Sequence, residues 1–159
     1  MLSSKEYFGQ YGRITKIVTV QKEDDSHNPT SYSAYITFSN NLEAALCILS
    51  VDSIMINGFL IRAFFGTTKY CIHFLNNLEC YSKEKCMFLH QLANSSDILG
   101  VESKFGYSEH IKCAKEVINF YSFETKNYIQ NYKLPYKTVL PTIKSIYTKE
   151  NFNDSDFIK

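Results

Sequence analysis

The sequence predicts an α+β chain made of two small folded parts, and two features carry that prediction. One is the order of periodic segments between Ser3 and Phe65: helix, strand, strand, helix, strand, a split βαβ repeat without its opening strand. The other is the run Cys71, Cys80, Cys86 and His90, spaced C-x8-C-x5-C-x3-H, in a stretch too short to bury a core of its own. Three thiols and an imidazole can close around one ion, and Zn²⁺ takes such Cys₃His sets with tetrahedral geometry in structural sites. A metal must therefore organise this segment. Its last two donors, four residues apart, are expected on one face of a helical turn.

Taken in order, Ser3 to Tyr11 reads as a short helix, with Tyr7, Phe8 and Tyr11 on one side and Gly9 and Gly12 supplying the turn that ends it. Ile14 to Val20 is dense in β-branched residues and reads as a strand, and the polar, acidic run Gln21 to Pro29 as an exposed loop. Tyr32 to Phe38 alternates Tyr32, Ala34, Ile36 and Phe38 against Ser33, Tyr35 and Thr37, the pattern of a second strand. Asn40 to Leu49 is the clearest helix: Leu42, Ala45, Leu46 and Leu49 share a face, and Asn40 with Glu43 forms a capping box. Ile54 to Ile56 and Phe59 to Phe65 flank Asn57-Gly58, a dipeptide whose positive φ angles suit a tight hairpin.

Beyond His90 the pattern loosens. Gln91 to Gly106 is polar and reads as a linker. Ser108 to Phe123 reads as an amphipathic helix capped by Ser108, with Ile111, Ala114, Ile118 and Tyr121 along one side. Isolated helices of this length are marginal, so the stripe must dock on the preceding domain or on a partner. Residues 125–159 hold Tyr and Lys without a sustained period, together with Pro135 and Pro141, and are expected to form a partly disordered tail. The expected divisions are residues 1–66, 67–92 for the metal module, 93–107 for the linker, 108–124 for the helix and 125–159 for the tail.

Composition narrows the function classes. The net charge is +1, but basic residues outnumber acidic ones within 62–90 and 125–159, so the metal module and the tail carry the positive excess. No apolar run reaches the length of a membrane span, and no membrane association is expected. A disulfide framework is disfavoured: the five cysteines are an odd count, and Met1 to Glu6 is followed by no signal-like apolar stretch. Cys47 and Cys113 lie on helical apolar faces as buried thiols, and His73 is the one rival ligand. Asp24-Asp25 sits in a loop without metal partners, and no nucleophile–base or open-metal constellation is visible, so neither catalysis nor a small-molecule substrate is expected.

Two family resemblances follow from these residues. The ligand spacing, with Phe74 three residues after the first Cys and Phe88 two after the third, resembles the CCCH zinc finger, the family that includes tristetraprolin. That likeness implies that Phe74 and Phe88 stack on bases of single-stranded RNA, a reading preferred over simple filling of a tiny core. Ser31 to Phe38 resembles the octapeptide of the RNA recognition motif, and Phe8 to Ile14 and Asn57 to Ile61 resemble its turn signatures. The fold implied is that motif's ferredoxin-like sheet without its first strand, which would precede Ser3; an N-terminally truncated chain is the expectation. Ser31 and Ser33 replace the octapeptide's usual cation and first ring, leaving Tyr35 to meet either RNA or a protein partner.

The order of the two parts, and the junction Gly66-Thr-Thr-Lys-Tyr-Cys71, resemble the fourth NOT subunit family of the CCR-NOT mRNA deadenylation complex, RING ubiquitin ligases. No RING-like set of Cys and His precedes Cys47 in this sequence, so ligase activity is not expected of these residues. The resemblance implies a zinc-bearing single-stranded RNA-binding module acting in mRNA turnover and protein quality control. It also implies CCR-NOT proteins as partners and a cytoplasmic location, with the nucleus as a second site. Lys69, Lys83 and Lys85 would neutralise phosphates, and Tyr70 would extend the stacking surface. The alternative is a protein-docking scaffold in which zinc only stabilises the fold.

Overall fold

The structure, a computed structural model, describes residues 1–22, 31–82, 85–93, 106–131, 133 and 138–143. The elements are a 3₁₀ turn at Phe8–Gln10, strands β1 (Ile14–Lys22) and β2 (Ser31–Phe38), and helix α1 (Asn41–Val51). After them come β3 (Met55–Ile56), β4 (Phe59–Leu60), the one-turn helix α2 (Ile72–Leu75), α3 (Tyr107–Phe120) and α4 (Ser122–Asn131). The chain divides into two compact units: Met1–Thr15, Phe38–Phe65 and Phe105–Lys159 form one, and Lys16–Thr37 with Gly66–Lys104 the other.

The first unit has a conventional apolar core. Asn40 caps α1, its side-chain oxygen accepting from the Glu43 N–H at 2.9 Å, while the Glu43 carboxylate turns back to accept from the Ser39 N–H and hydroxyl. Leu42, Ala45 and Leu46 are buried, and so are Cys47, Ile48 and Val51, so α1 is covered on more than the single face its spacing shows. It packs against α3, whose Ala114 and Ile118 are buried in the same cluster, with Ile111 and Tyr121 half-buried around it. Cys113, expected to be buried, is only half-buried, because it lies one position off that inward stripe. Gly106, and not Ser108, stands at the N-cap of α3; the Ser108 hydroxyl donates to Glu109 instead.

Three segments depart from what local pattern predicts. Residues 1–7 form successive turns rather than a helix, leading into the 3₁₀ turn. Gly9 is needed there, because a Cβ at that position would sit 2.1 Å from the Ser3 carbonyl oxygen. The Glu6 carbonyl, which a continuing helix would bond to residue 10, accepts from Val139 N–H at 2.9 Å. The expected tail is therefore partly built into the core. Buried Gln10 donates to the Leu140 carbonyl, Tyr11 donates its hydroxyl to the Pro141 carbonyl at 2.6 Å, and Leu140 and Ile143 are buried beside Tyr11. Helix also runs on past residue 124, since α4 reaches Asn131 with Thr125 buried at its start. Residues 144–159 of the expected tail and 94–105 of the expected linker lie outside the described residues.

The sheet is split, in keeping with a repeat that shows no opening strand. Among the described residues β1 pairs only with β2, and β3 only with β4. Asn57 and Gly58 both take positive φ, 50° and 84°, and turn the β3–β4 hairpin. The expected strand Phe59 to Phe65 shortens to Phe59–Leu60, because past the Ile61 N–H bond to Ile54 the backbone loses its ladder partner. The Asp52 carboxylate then captures the Ala63 N–H at 3.0 Å. No described helix is long and apolar enough to cross a membrane.

Ile118→Ala is expected to destabilise this unit by about 2–5 kcal/mol through the cavity it leaves, and Tyr11→Phe by about 1 kcal/mol through its lost hydrogen bond. Urea unfolding followed by circular dichroism measures both, and equal, negligible losses would contradict the packing described.

Candidate metal centre and its flanking rings

The Cys71–His90 segment is closed by backbone hydrogen bonds between its two ends. Cys71 N–H donates to the Leu89 carbonyl at 3.0 Å and Leu89 N–H to the Lys69 carbonyl at 2.9 Å, a parallel bridge between Tyr70 and Leu89 that sets Cys71 beside His90. Thr68 reinforces the closure, donating its hydroxyl to the Met87 carbonyl at 3.0 Å. Cys71 caps α2, and the Leu75 N–H returns to the Cys71 carbonyl, so the helical turn lies after the first ligand. The expected helical face from Cys86 to His90 does not form: that stretch is non-helical, its end pinned by the bridge at Leu89, and a turn in which Cys86 N–H donates to Ser82 carries Cys86 inward. Asn77, at a φ of 54°, and the Leu78 N–H bond to the His73 carbonyl redirect the chain from α2 toward Cys80.

The result is convergence. One ligand atom from each of Cys71, Cys80, Cys86 and His90 lies within 4.8 Å of all the others, the proximity that a single ion bonded to all four requires. Cys71 is buried, the other three half-buried, and His90 Nε2 is a buried nitrogen without a hydrogen-bond partner. A buried nitrogen left without a partner among three thiols fits a metal ligand better than a packing residue. Backbone N–H groups of Phe74, foremost, and His73 hold the Cys71 thiol below its ordinary pKa, whereas burial raises that of Cys80. The four residues can hold one metal ion. His73, the rival, lies in α2 outside the cluster.

Around the cluster the rings take different positions. Phe74 is half-buried, stacked on Tyr70 with centroids 6.1 Å apart and edge-on to the His90 imidazole at 6.4 Å, so it packs beside the cluster. The Tyr70 hydroxyl accepts from the Ala93 N–H. Phe88, 48% exposed, is open, as are Lys69 and Lys85; Lys83 lies outside the described residues. Tyr35, also 48% exposed, lies on β2 on the same face as Ser33, and the more exposed Tyr32 falls on the other face. A recess of about 160 Å³ runs between Phe74, Leu78, Glu79, Cys80 and His90. Two features escape the sequence pattern. Lys16, on β1, donates its ammonium to the carbonyl of Cys86, seventy residues away in the chain, and no local motif marks it. Ile72, Leu75 and Leu78 are 62%, 55% and 60% exposed, although their spacing alone resembles a buried helical face.

Residues 5–62 match the RNA recognition motif, and the Cys₃His cluster follows that stretch in the chain. The chain is homologous to the General negative regulator of transcription subunit 4 of Saccharomyces cerevisiae, with 45% identity over 105 residues, 60% of this chain and 18% of that protein. A putative general negative regulator of transcription from Schizosaccharomyces pombe is 30% identical over 154 residues, 95% of this chain and 30% of the relative. The chain thus spans under a third of the length of these curated relatives. No solved structure matches it.

Metal affinity is expected to fall as pH falls, since protons compete for the three thiolates and the imidazole; chelator competition across the acid range reads this. After chelation, iodoacetamide near about pH 8 is expected to modify Cys71, Cys80 and Cys86 quickly. It should spare Cys47, whose thiol burial pushes up to about 12. Mass spectrometry that finds Cys47 modified at the same rate would contradict its placement in the core.

Proposed function

We propose that this chain is a zinc-dependent single-stranded RNA-binding module that works with CCR-NOT proteins in mRNA turnover and protein quality control, in the cytoplasm. The convergence of Cys71, Cys80, Cys86 and His90 on one point carries the reading, because the donor set is that of closed structural Zn²⁺ sites. Zinc in such a site contributes folding energy and leaves no open position for chemistry. Binding surfaces are supplied by the chain itself. Phe88 presents an exposed ring on the module itself, the Tyr70–Phe74 pair adds a second aromatic surface, and Lys69 and Lys85 stand exposed to meet phosphates. Tyr35 and Tyr32 offer further rings on β2. We assign binding to these residues; ligase activity, which the CCR-NOT likeness attaches to a RING, is assigned to none of them.

A second reading rests on one observation. Ile72, Leu75 and Leu78 expose aliphatic side chains that have no π-face for a base, and such a surface suits a protein partner. Fluorescence anisotropy with a single-stranded RNA decamer distinguishes the two. Phe88→Ala and Tyr35→Ala are each expected to weaken binding by about 1–3 kcal/mol. Lys69→Ala and Lys85→Ala should each reduce the slope of log affinity against log salt by about 0.7. Ile72→Asp with Leu75→Asp should leave RNA binding unchanged. Parental affinity in a zinc-loaded Phe88→Ala, Tyr35→Ala double variant would refute the RNA reading and favour docking.

A further inference from the structure

The unit of Lys16–Thr37 and Gly66–Lys104 contains only one buried residue among those described, and that residue is Cys71. Its partners in the cluster are half-buried, and no other described side chain of the unit joins an apolar core. The β1–β2 ribbon within it has Lys16, Ile17, Val18, Val20 and Ile36 half-buried, and its other described side chains from Lys16 to Thr37 are exposed. A two-stranded ribbon is at best marginally stable by itself, and this one has no third strand among the described residues. A hydrogen bond ties it to the cluster: Lys16 Nζ donates to the main-chain carbonyl of the ligand residue Cys86.

We infer that the ribbon of the RNA recognition motif folds as one cooperative unit with the Cys₃His centre, and that Lys16 is the positioning residue that couples them. The inference rests on the metal reading above and extends it to a part of the chain remote from the ligands. Metal binding supplies the folding free energy that this unit lacks in apolar burial. Lys16 acts on the centre through its bond, which fixes the peptide that follows Cys86. The other unit, with eleven buried residues in its own apolar cluster, needs no metal to hold its shape. The zinc module thus takes over the support that the ribbon lacks, and any RNA-binding ring on β2, Tyr35 included, becomes metal-dependent although it touches no ligand.

Hydrogen exchange on the full chain, followed by mass spectrometry with and without a zinc chelator, tests this. Chelation is expected to remove protection from residues 16–22, 31–37 and 69–90 together, while α1 and α3 keep theirs. Ribbon protection that persists after zinc is shown to be gone overturns the inference, and so does simultaneous loss throughout the chain. A chain that takes up no zinc at all refutes the metal reading itself, and this inference with it. For Lys16, Lys16→Met is expected to weaken zinc retention about tenfold and to alter the visible absorption of the Co²⁺-substituted centre, with Lys16→Arg restoring both. Unchanged retention and spectrum in Lys16→Met would remove Lys16 from the role.

Discussion

The described residues from Cys71 to His90 hold a defined shape although only one of their side chains is buried, and that side chain is a ligand. Apolar burial, at about 25 cal/mol per Å², therefore has almost nothing to act on here. What remains is the meeting of three sulfurs and one nitrogen at a single point, arranged by the Cys71–Leu89–Lys69 backbone bridge. A cation bound at that point would give the partnerless His90 Nε2 something to bind. The ribbon is tied to that module through Lys16.

The companion unit solves the same problem by ordinary means. Segments from three distant stretches, around Tyr11, along α1, and from α3 through Ile143, share one apolar cluster. Two polar contacts lock its least regular parts: Gln10 and Tyr11 satisfy the carbonyls of Leu140 and Pro141. Those carbonyls would otherwise be costly beside a buried surface, so the contacts both select and order the segment that local pattern assigns to a tail. The two units thus differ in what they offer to hold them, an apolar cluster in one case and a set of metal-ligating donors in the other.

This division bears on function. An RNA recognition motif normally offers bases a sheet whose rings are held by four strands. Here the sheet is split, and the octapeptide retains Tyr35 but has serine at two of its usual contact positions. Phe74 illustrates the compromise: its contacts with Tyr70 and His90 place it partly in the support of the centre and leave Phe88 as the more open ring.

Much of this was legible in the chain itself. Ligand spacing identifies Cys71, Cys80, Cys86 and His90, since metal sites in short modules draw donors from neighbouring sequence, and the cluster in space is the same four. The cap at Asn40, the apolar face of α1 and the turn at Asn57-Gly58 are likewise local, set by side chains within a few residues of one another. Tertiary structure alone decided the rest. Val139 to Ile143 close the core, residues 1–7 turn instead of coiling, and Ile61 to Phe65 leave the sheet, each because of partners that lie elsewhere in the chain or are absent beside it. The reach of Lys16 to Cys86 is of the same kind, because a hydrogen bond spanning seventy residues leaves no trace in periodicity, composition or spacing.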